Sequence, residues 1–191
     1  IPEIFFGDNN GYVHALDSQG NLLNGFPVEL PEGSSKDIWG SPSVADIDND
    51  GEHEIVVVSK NKHAYIIDES GNIETTYNAN QFLMGTTSLA NIDDDNELEI
   101  VFTGYSTSGK VFAINHDGTD VNNFPVDINE KILKGVAIYD INNNGKDDIV
   151  VATENDKVVA IVYDDGTISN LFYSDDKFKS APSVIDINGQ E

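Results

Sequence analysis

The chain has 191 residues, and its 34 acidic residues outnumber its 10 basic residues, all of which are Lys. A formal net charge of −24 argues against nucleic acid or an anionic membrane surface as a partner. The hydrophobic residues, 39% of the chain, recur in runs and argue against disorder, and the absence of Cys excludes disulfides, thiol catalysis and thiolate metal sites.

Four similar units of short predicted strands follow one another along the chain. The first unit begins with EIFFG (3–7), continues through a strand and turn in YVHALDSQG (12–20), and ends with a weaker strand in LLNGFPVEL (22–30). Each unit carries a glycine at the same turn, as expected of a β-hairpin. These glycines are Gly20, Gly71, Gly118 and Gly166. A further strand precedes each later unit and also ends the chain, as SPSVADI (41–47), TTSLANI (86–92), KGVAIYDI (134–141) and SAPSVIDI (180–187).

An acidic loop of ten residues follows each of these further strands. The intact copies are DIDNDGEHEI (46–55), NIDDDNELEI (91–100) and DINNNGKDDI (140–149), and a fourth is split between DINGQE (186–191) and IPEI (1–4). The isoleucines that end the loops, Ile4, Ile55, Ile100 and Ile149, are 51, 45 and 49 residues apart. A period of about 45–50 residues is typical of propeller blades or solenoid units.

The first loop has the ligand spacing of a site for a hard cation. Asp46, Asp48 and Asp50 place carboxylates at positions 1, 3 and 5. The backbone carbonyl of Glu52 would follow at position 7 and the carboxylate of Glu54 at position 9. A set of oxygen ligands around a tight turn predicts Ca²⁺ rather than zinc or copper. Acidic Asx turns that hold no cation are the alternative.

An EF-hand begins in the same way but needs a bidentate Glu at position 12 and flanking helices. Position 12 is Val57, Phe102 or Val151 in the intact copies, within runs rich in β-branched residues. The sequence therefore excludes an EF-hand and predicts a strand after each loop.

The predicted fold is all-β: one domain, a β-propeller of four four-stranded repeats with about sixteen strands. The repeats span approximately 181–191 together with 1–30, 40–78, 85–127 and 134–173. The split repeat predicts that the C-terminal strand pairs with the N-terminal strand of the same or a neighbouring copy, unless the chain is part of a longer propeller. We expect the strands that follow the loops to be the most buried.

The segments SPSVADIDNDGEHEIVV and GVAIYDINNNGKDDIVVAT resemble FG-GAP/VCBS repeats, the calcium-loop repeats of integrin α-chain propellers and of many secreted bacterial proteins. NGQEIPEI, read across the termini, resembles the N-G-D-G-x-P-D core of that family's loop. The resemblance covers essentially the whole chain. It implies a propeller fold with bound calcium, which suits an extracellular or cell-surface location.

The resemblance also implies ligands in the remaining loops. In the second loop they are Asn91, Asp93, Asp95, the Glu97 carbonyl and Glu99, with Asn96 in the glycine position. In the third loop they are Asp140, Asn142, Asn144, the Lys146 carbonyl and Asp148. In the split loop they are Asp186, Asn188 and Glu3.

Three aromatic residues, Trp39, Tyr105 and Phe178, lie in connections on the face opposite the loops, where they would pack, stack on a sugar or anchor a protein. No His metal pattern or G-x-S-x-G elbow occurs, so no enzymatic activity is predicted. The predicted function is a secreted calcium-binding propeller with a non-catalytic role in adhesion, recognition or fibre assembly. Its partner would be a protein, a carbohydrate or copies of itself, without membrane insertion. The alternative is the propeller of a secreted polysaccharide-degrading enzyme, either catalytic or non-catalytic.

Overall fold

The computed structural model of the chain describes residues 2–31, 33 and 35–187. Fifteen strands form four antiparallel sheets in this part of the chain, so the all-β prediction is confirmed. The described residues contain no helix that is long and apolar enough to cross a membrane.

The strands of each sheet follow one another in chain order. The first sheet has β1 (Ile4–Gly7), β2 (Tyr12–Leu16) and β3 (Val28–Glu29). The second has β4 (Ser43–Ala45), β5 (Glu54–Val58), β6 (His63–Ile67) and β7 (Ile73–Asn78). The third has β8 (Ser88–Ala90), β9 (Glu99–Thr103), β10 (Lys110–Ile114) and β11 (Val126–Asp127). The fourth has β12 (Ala137–Tyr139), β13 (Asp148–Ala152), β14 (Val158–Val162) and β15 (Ile168–Tyr173).

The hydrophobic runs in β5 and β9 are continuous because the second and third sheets each pack between two other sheets. Successive side chains of a strand point to opposite faces. In β5, Ile55 and Val57 pack with the first sheet, whereas Val56 and Val58 pack with the third. The third and fourth sheets share a similar apolar seam, which contains Val101 of β9 and other buried residues. The sheets thus stack face to face in series, as blades of a propeller do.

The segments that lead into the first strands of neighbouring sheets approach each other closely. A Cβ atom on Gly40 would lie 2.1 Å from the Gly85 carbonyl oxygen, and a Cβ on Gly85 would lie 2.6 Å from the Lys134 carbonyl oxygen. Strand β8 also contacts β12 of the next sheet. Only glycine allows backbones to come this close.

The first sheet departs from the four-strand prediction. Strand β1 pairs only with β2, and the described C-terminal residues 174–187 form no strand. The prediction that the strand after the split loop is among the most buried is therefore wrong: Ile4 is 54% exposed and Phe6 is 40% exposed. The physical reason is that no other sheet in the described part of the chain covers this face of β1. The pairing predicted between the C-terminal and N-terminal strands is not formed within the described residues.

Candidate metal loops and the opposite face

The first acidic loop brings its three aspartates together. One carboxylate oxygen from each of Asp46, Asp48 and Asp50 lies within 4.8 Å of the other two. The loop closes because the Gly51 N–H donates to Asp46 Oδ2 at 3.0 Å, and Gly51 has the positive φ of 96° that favours glycine. The other oxygen, Asp46 Oδ1, is buried and accepts no hydrogen bond. A buried carboxylate oxygen without a partner is costly, so the donor set fits a cation.

The second loop makes a similar cluster with a different turn. Oxygens of Asp93, Asp95 and Glu99 lie within 4.8 Å of one another. Asn96, at the glycine position, does not have the positive φ that the first loop has at this point. The Asp95 and Glu97 N–H groups each donate at 2.9 Å to the aspartate two residues earlier. The carboxylates of the second loop therefore cluster as those of the first loop do, although the backbone conformation at Asn96 differs from that at Gly51.

The acid at position 9 is anchored in the same way in all three intact loops. Its carboxylate accepts a hydrogen bond from the backbone N–H at position 2: Glu54 from Ile47 at 2.9 Å, Glu99 from Ile92, and Asp148 from Ile141 at 3.0 Å. These acids are buried, so a proton or cation that neutralises them stabilises the folded chain.

The pKa values of these acids show the cost of their burial. Burial raises the pKa of Glu99 from its ordinary 4.5 to about 7, and the charges of Asp93 and Asp95 add to the rise. Burial likewise raises the pKa of Glu54, with contributions from neighbouring aspartates, and the pKa of Asp148, with a contribution from Asp164.

The third loop keeps the geometry with fewer charges. Asp140 accepts hydrogen bonds from the Gly145 N–H at 2.8 Å and the Asn144 N–H at 3.1 Å. Asn142 and Asn144 supply amide oxygens that accept from the N–H two residues later, at 3.0 and 2.8 Å. The Lys146 side chain turns away and pairs with Asp94 at 2.9 Å.

The split loop is only partly described. Glu3 and Asp186 are both exposed, and neither belongs to an acidic cluster in the described residues. Asn188 lies outside the described residues. The predicted fourth site is therefore not assembled within the described part of the chain.

Contacts between loops were not predicted from the sequence. His116 places Nδ1 3.4 Å from Asp48 Oδ2 and Nε2 3.3 Å from Glu97 Oε2, so its ring bridges the first and second loops. Asp147 accepts from the Asn91 N–H at 2.9 Å and links the second loop to the third. These partners are 19 to 68 residues apart, so their contacts leave no local signal in the sequence.

The three intact acidic loops lie at the same end of the second, third and fourth sheets, and nearly all the lysines lie at the other end of the sheets. Loops 46–54, 91–99 and 140–148 join the first two strands of their sheets. Nine of the ten lysines stand at the opposite strand ends or in the connections there, and Lys146 is the exception. The loop end is therefore strongly negative, whereas acids and lysines are mixed at the opposite end.

At the end opposite the loops, lysine ammonium groups lie over aromatic rings. Trp39 is 52% exposed, and Lys60 Nζ lies 4.8 Å from its ring centroid. Lys131 Nζ lies 5.2 Å from the Tyr105 ring, whose hydroxyl donates to Glu154 Oε2 at 3.0 Å. Phe82, which the sequence analysis missed, is 46% exposed; Lys62 Nζ lies 5.6 Å from its ring, completing a third pair of this kind.

Phe178, the remaining aromatic candidate, is half-buried after β15. The structure thus brings two of the three predicted aromatic residues into the same type of lysine–aromatic pair.

Comparisons with known proteins identify the fold. The sequence profile of the lambda-carrageenase beta-propeller domain matches residues 7–124. A search of curated proteins found no match. Virginiamycin B lyase from Staphylococcus aureus is structurally similar, with a TM-score of 0.64 and 15% identity over 88% of this chain and 51% of the lyase. BamB from Moraxella catarrhalis is similar with a TM-score of 0.58 and 24% identity over 97% of this chain and 50% of BamB.

A third similar structure is BBS1N, solved in complex with ARL6DN, with a TM-score of 0.61 and 13% identity over 90% of this chain and 55% of that one. The chain thus spans about half the length of these three solved structures. These comparisons confirm the β-propeller prediction. The matching family is the carrageenase propeller, and the narrower FG-GAP/VCBS assignment stays a prediction.

Proposed function

The chain belongs to the family of lambda-carrageenase β-propeller domains, and we propose that it is an extracellular, calcium-stabilised, non-catalytic module that recognises a carbohydrate. The family match over residues 7–124 is the observation that carries this proposal. This match favours the alternative in which the propeller belongs to a secreted polysaccharide-degrading enzyme. We propose that the propeller's role in such a protein is recognition.

Calcium binding is supported by the donor chemistry of the loops. Each intact loop presents oxygens at positions 1, 3, 5 and 9, and Asp46 Oδ1 is a buried oxygen with no hydrogen-bond partner. Hard oxygen donors in a flexible cage suit Ca²⁺. An FG-GAP/VCBS-type loop is the proposed class of site, and Ca²⁺ would offset the repulsion among the acids and hold each hairpin.

A non-catalytic role is supported by the placement of the perturbed acids. Among the described residues, the carboxylates with a raised pKa are Glu54, Glu74, Glu99 and Asp148. Glu54, Glu99 and Asp148 belong to the loops. Burial and then the charge of Asp68 raise the pKa of Glu74, and the acids of the first loop add to the rise. The three loop acids are proposed as cation ligands, which supports a structural rather than an acid–base role for them.

The proposed carbohydrate surface is the end of the sheets opposite the loops. The family's name refers to a carrageenase, so the proposed ligand is a polysaccharide of the carrageenan type, and the acidic loops would repel any anionic groups on it. The lysines and the exposed Trp39 ring at the opposite end offer ammonium donors and an aromatic platform for a sugar ring.

Affinity electrophoresis in gels with and without λ-carrageenan tests this role. The wild-type chain should be retarded by the polysaccharide, and Trp39→Ala should lose most of the retardation. Tyr139→Ala, which removes an exposed ring at the end of β12 beside the third acidic loop, is the matched control and should bind as wild type. Equal migration in both gels, or release of new reducing ends from the polysaccharide, would contradict the proposal.

Assembly is a second candidate role because, among the residues that the structure describes, no strand pairs with the outer edge of β1. We propose that residues 181–187 complete this sheet as its first strand.

A further inference from the structure

A cavity of about 300 Å³ lies in the seam between the third and fourth sheets. Ile128, which follows β11, lines one side of it, and residues of β14 and β15 line the other. The described residues that line it belong to no acidic loop. Protein interiors rarely contain a void larger than a water molecule. An apolar cavity of about 150 Å³ accommodates a benzene ring, so this cavity has room for a ring with a short substituent.

The cavity is present because an alanine stands where the other two seams contain an aromatic ring. The third strands of the second, third and fourth sheets carry Tyr65, Phe112 and Ala160 at the same position. Each is the third residue of its strand and pairs with the fourth residue of the strand before it. Tyr65 is buried against the first sheet and Phe112 against the second. Ala160 faces the third sheet in the same way, and its methyl group leaves the space of a ring unfilled.

Tyr65 shows how a ring sits in the equivalent space between the first and second sheets. Its hydroxyl accepts a hydrogen bond from Asn61 Nδ2 at 2.6 Å and donates to the Pro31 carbonyl oxygen at 3.2 Å. Asp156 precedes Ala160 by four residues, as Asn61 precedes Tyr65. A carboxylate thus replaces the amide that donates to the tyrosine hydroxyl. A ring that occupies the cavity therefore needs a donor group at this end.

A second carboxylate in the cavity also requires a donor. Glu130 is 6% exposed and lines the cavity. Its Oε2 accepts hydrogen bonds from the backbone N–H groups of Asn155 and Asp156, at 2.6 and 2.8 Å, and among the described residues no group donates to its Oε1. No lysine is among the described residues that line the cavity, and Lys157 Nζ donates to the Asp175 carbonyl at 2.6 Å. The cavity thus presents two carboxylates without a cationic side chain in its lining.

The cavity opens to solvent beside β15. Asn170 and Tyr173 line it and are both exposed, and Asn170 Nδ2 donates to the Tyr173 hydroxyl at 3.2 Å. Ile168, which is also exposed, continues the same wall. A ligand can therefore enter without separation of the two sheets.

We propose that this cavity binds a small organic cation that consists of an aromatic ring and an ammonium group. The ring occupies the space that Tyr65 fills in its own seam, against the apolar side chains of Ile128 and Ala160. The ammonium group donates charge-assisted hydrogen bonds to Glu130 Oε1 and to the Asp156 carboxylate. The same two carboxylates disfavour an anion, and a polyol would bury hydroxyl groups against the apolar side chains.

An NMR titration of the chain with benzylamine, benzyl alcohol and benzoate tests the class of ligand. The three probes share a ring and differ in charge, since benzylamine is a cation and benzoate an anion at neutral pH. Salt at about 0.15 M screens the general attraction of cations to a chain with a net charge of −24. We expect benzylamine to bind, benzyl alcohol to bind about tenfold more weakly, and benzoate not to bind. If benzylamine does not bind, or binds no better than either other probe, the proposal is wrong.

Two variants show whether the probe binds in the cavity. Ala160→Phe fills the space with the ring that Phe112 provides in the neighbouring seam and leaves the net charge unchanged, so it should abolish the binding of benzylamine and benzyl alcohol. Asp156→Asn removes an exposed carboxylate and should weaken benzylamine about tenfold without an effect on benzyl alcohol. Glu69→Gln is the matched control, because it removes an exposed carboxylate that does not line the cavity, and it should bind as wild type.

Unchanged binding of benzylamine by a folded Ala160→Phe chain would overturn the proposal. If that variant does not fold, Asp156→Asn decides, because its substitution is at the surface: unchanged affinity for benzylamine would then exclude the proposed ion pair. These measurements involve no polysaccharide, so their result is independent of the proposed recognition role.

Discussion

The buried carboxylate of Glu99 accepts a hydrogen bond from the backbone N–H of Ile92, within the same acidic loop. Glu99 is 1% exposed, and its carboxylate also interacts with the backbone N–H of Asp93 and with the charges of Asp93 and Asp95. The backbone hydrogen bonds do not compensate for the loss of water around this carboxylate, which explains why its pKa rises to about 7. The hydrogen bond from Ile92 therefore fixes the position of the Glu99 carboxylate, while burial disfavours its charged form.

The first prediction concerns the pH dependence of stability without calcium. The folded-state pKa of Glu99 lies above the ordinary value of 4.5. Between about pH 4.5 and pH 7 the folded state therefore binds more protons than the unfolded state, and the free energy of unfolding should fall as the pH rises. Saturating calcium should reduce this fall. Urea denaturation at a series of pH values, in chelator and in calcium, measures both effects.

Substitution of Glu99 should raise the free energy of unfolding in chelator but reduce the further stabilisation that calcium provides. Glu99→Gln keeps an acceptor for Ile92 and removes the charge. In chelator at pH 8 the variant should be more stable than wild type by roughly 1–3 kcal/mol, but it should gain less from calcium. Glu52→Gln removes the same charge from an exposed residue whose proposed ligand is its carbonyl, so it is the matched control. A Glu99→Gln variant that responds to calcium like wild type would exclude Glu99 as a ligand.

The second prediction concerns calcium binding by the first loop. In calcium at a hundredfold excess over its dissociation constant, binding to one site stabilises the folded state by about 2.7 kcal/mol. Asp48→Ala should lose most of this stabilisation at its own site, and the difference in Tm between calcium and chelator should shrink. Glu69→Ala removes an exposed carboxylate outside the loops and should keep the full difference. If chelator leaves the wild-type Tm unchanged, the loops are acidic turns.

The third prediction concerns the bridge from His116 to Asp48 and Glu97. His116→Gln removes an imidazole that contacts acids of two adjacent loops. Partly exposed pairs of this kind contribute about 0.2–1 kcal/mol, so the loss of stability in chelator should be of that size. In calcium the loss should be smaller because the cation neutralises the same acids. Equal losses in the two conditions, measured by thermal unfolding, would show that the bridge is independent of the loops' charge.

The fourth prediction concerns the close approach of backbones between sheets. Gly40→Ala would place a Cβ atom 2.1 Å from the Gly85 carbonyl oxygen and should destabilise the fold by about 3 kcal/mol. Gly20→Ala meets no atom within 4 Å and strains only a φ of +84°, which should cost about 1 kcal/mol. Chemical denaturation of both variants gives the comparison. A smaller loss for Gly40→Ala than for Gly20→Ala would mean that the two sheets separate easily at this point.

The carboxylate clusters in the first two loops could be predicted because each lies within ten consecutive residues. Asp46, Asp48 and Asp50 are spaced so that a tight turn alone brings their carboxylates together. The sequence did not predict the turn of the second loop, where Asn96 does not adopt the conformation of Gly51. It also missed His116 and Phe82, whose contacts depend on the packing of neighbouring units.

The sequence by itself determined the strands, their order, the repeat and the positions of the oxygen donors, because period-2 alternation, turn glycines and loop spacing act over a few residues. Only the tertiary structure decided which strands are covered. Ile4 and Ile55 follow equivalent loops and have similar local sequences, yet one is 54% exposed and the other 1%. The difference arises because burial depends on a neighbouring sheet, and no other sheet of the described residues covers the face of the first sheet that holds Ile4.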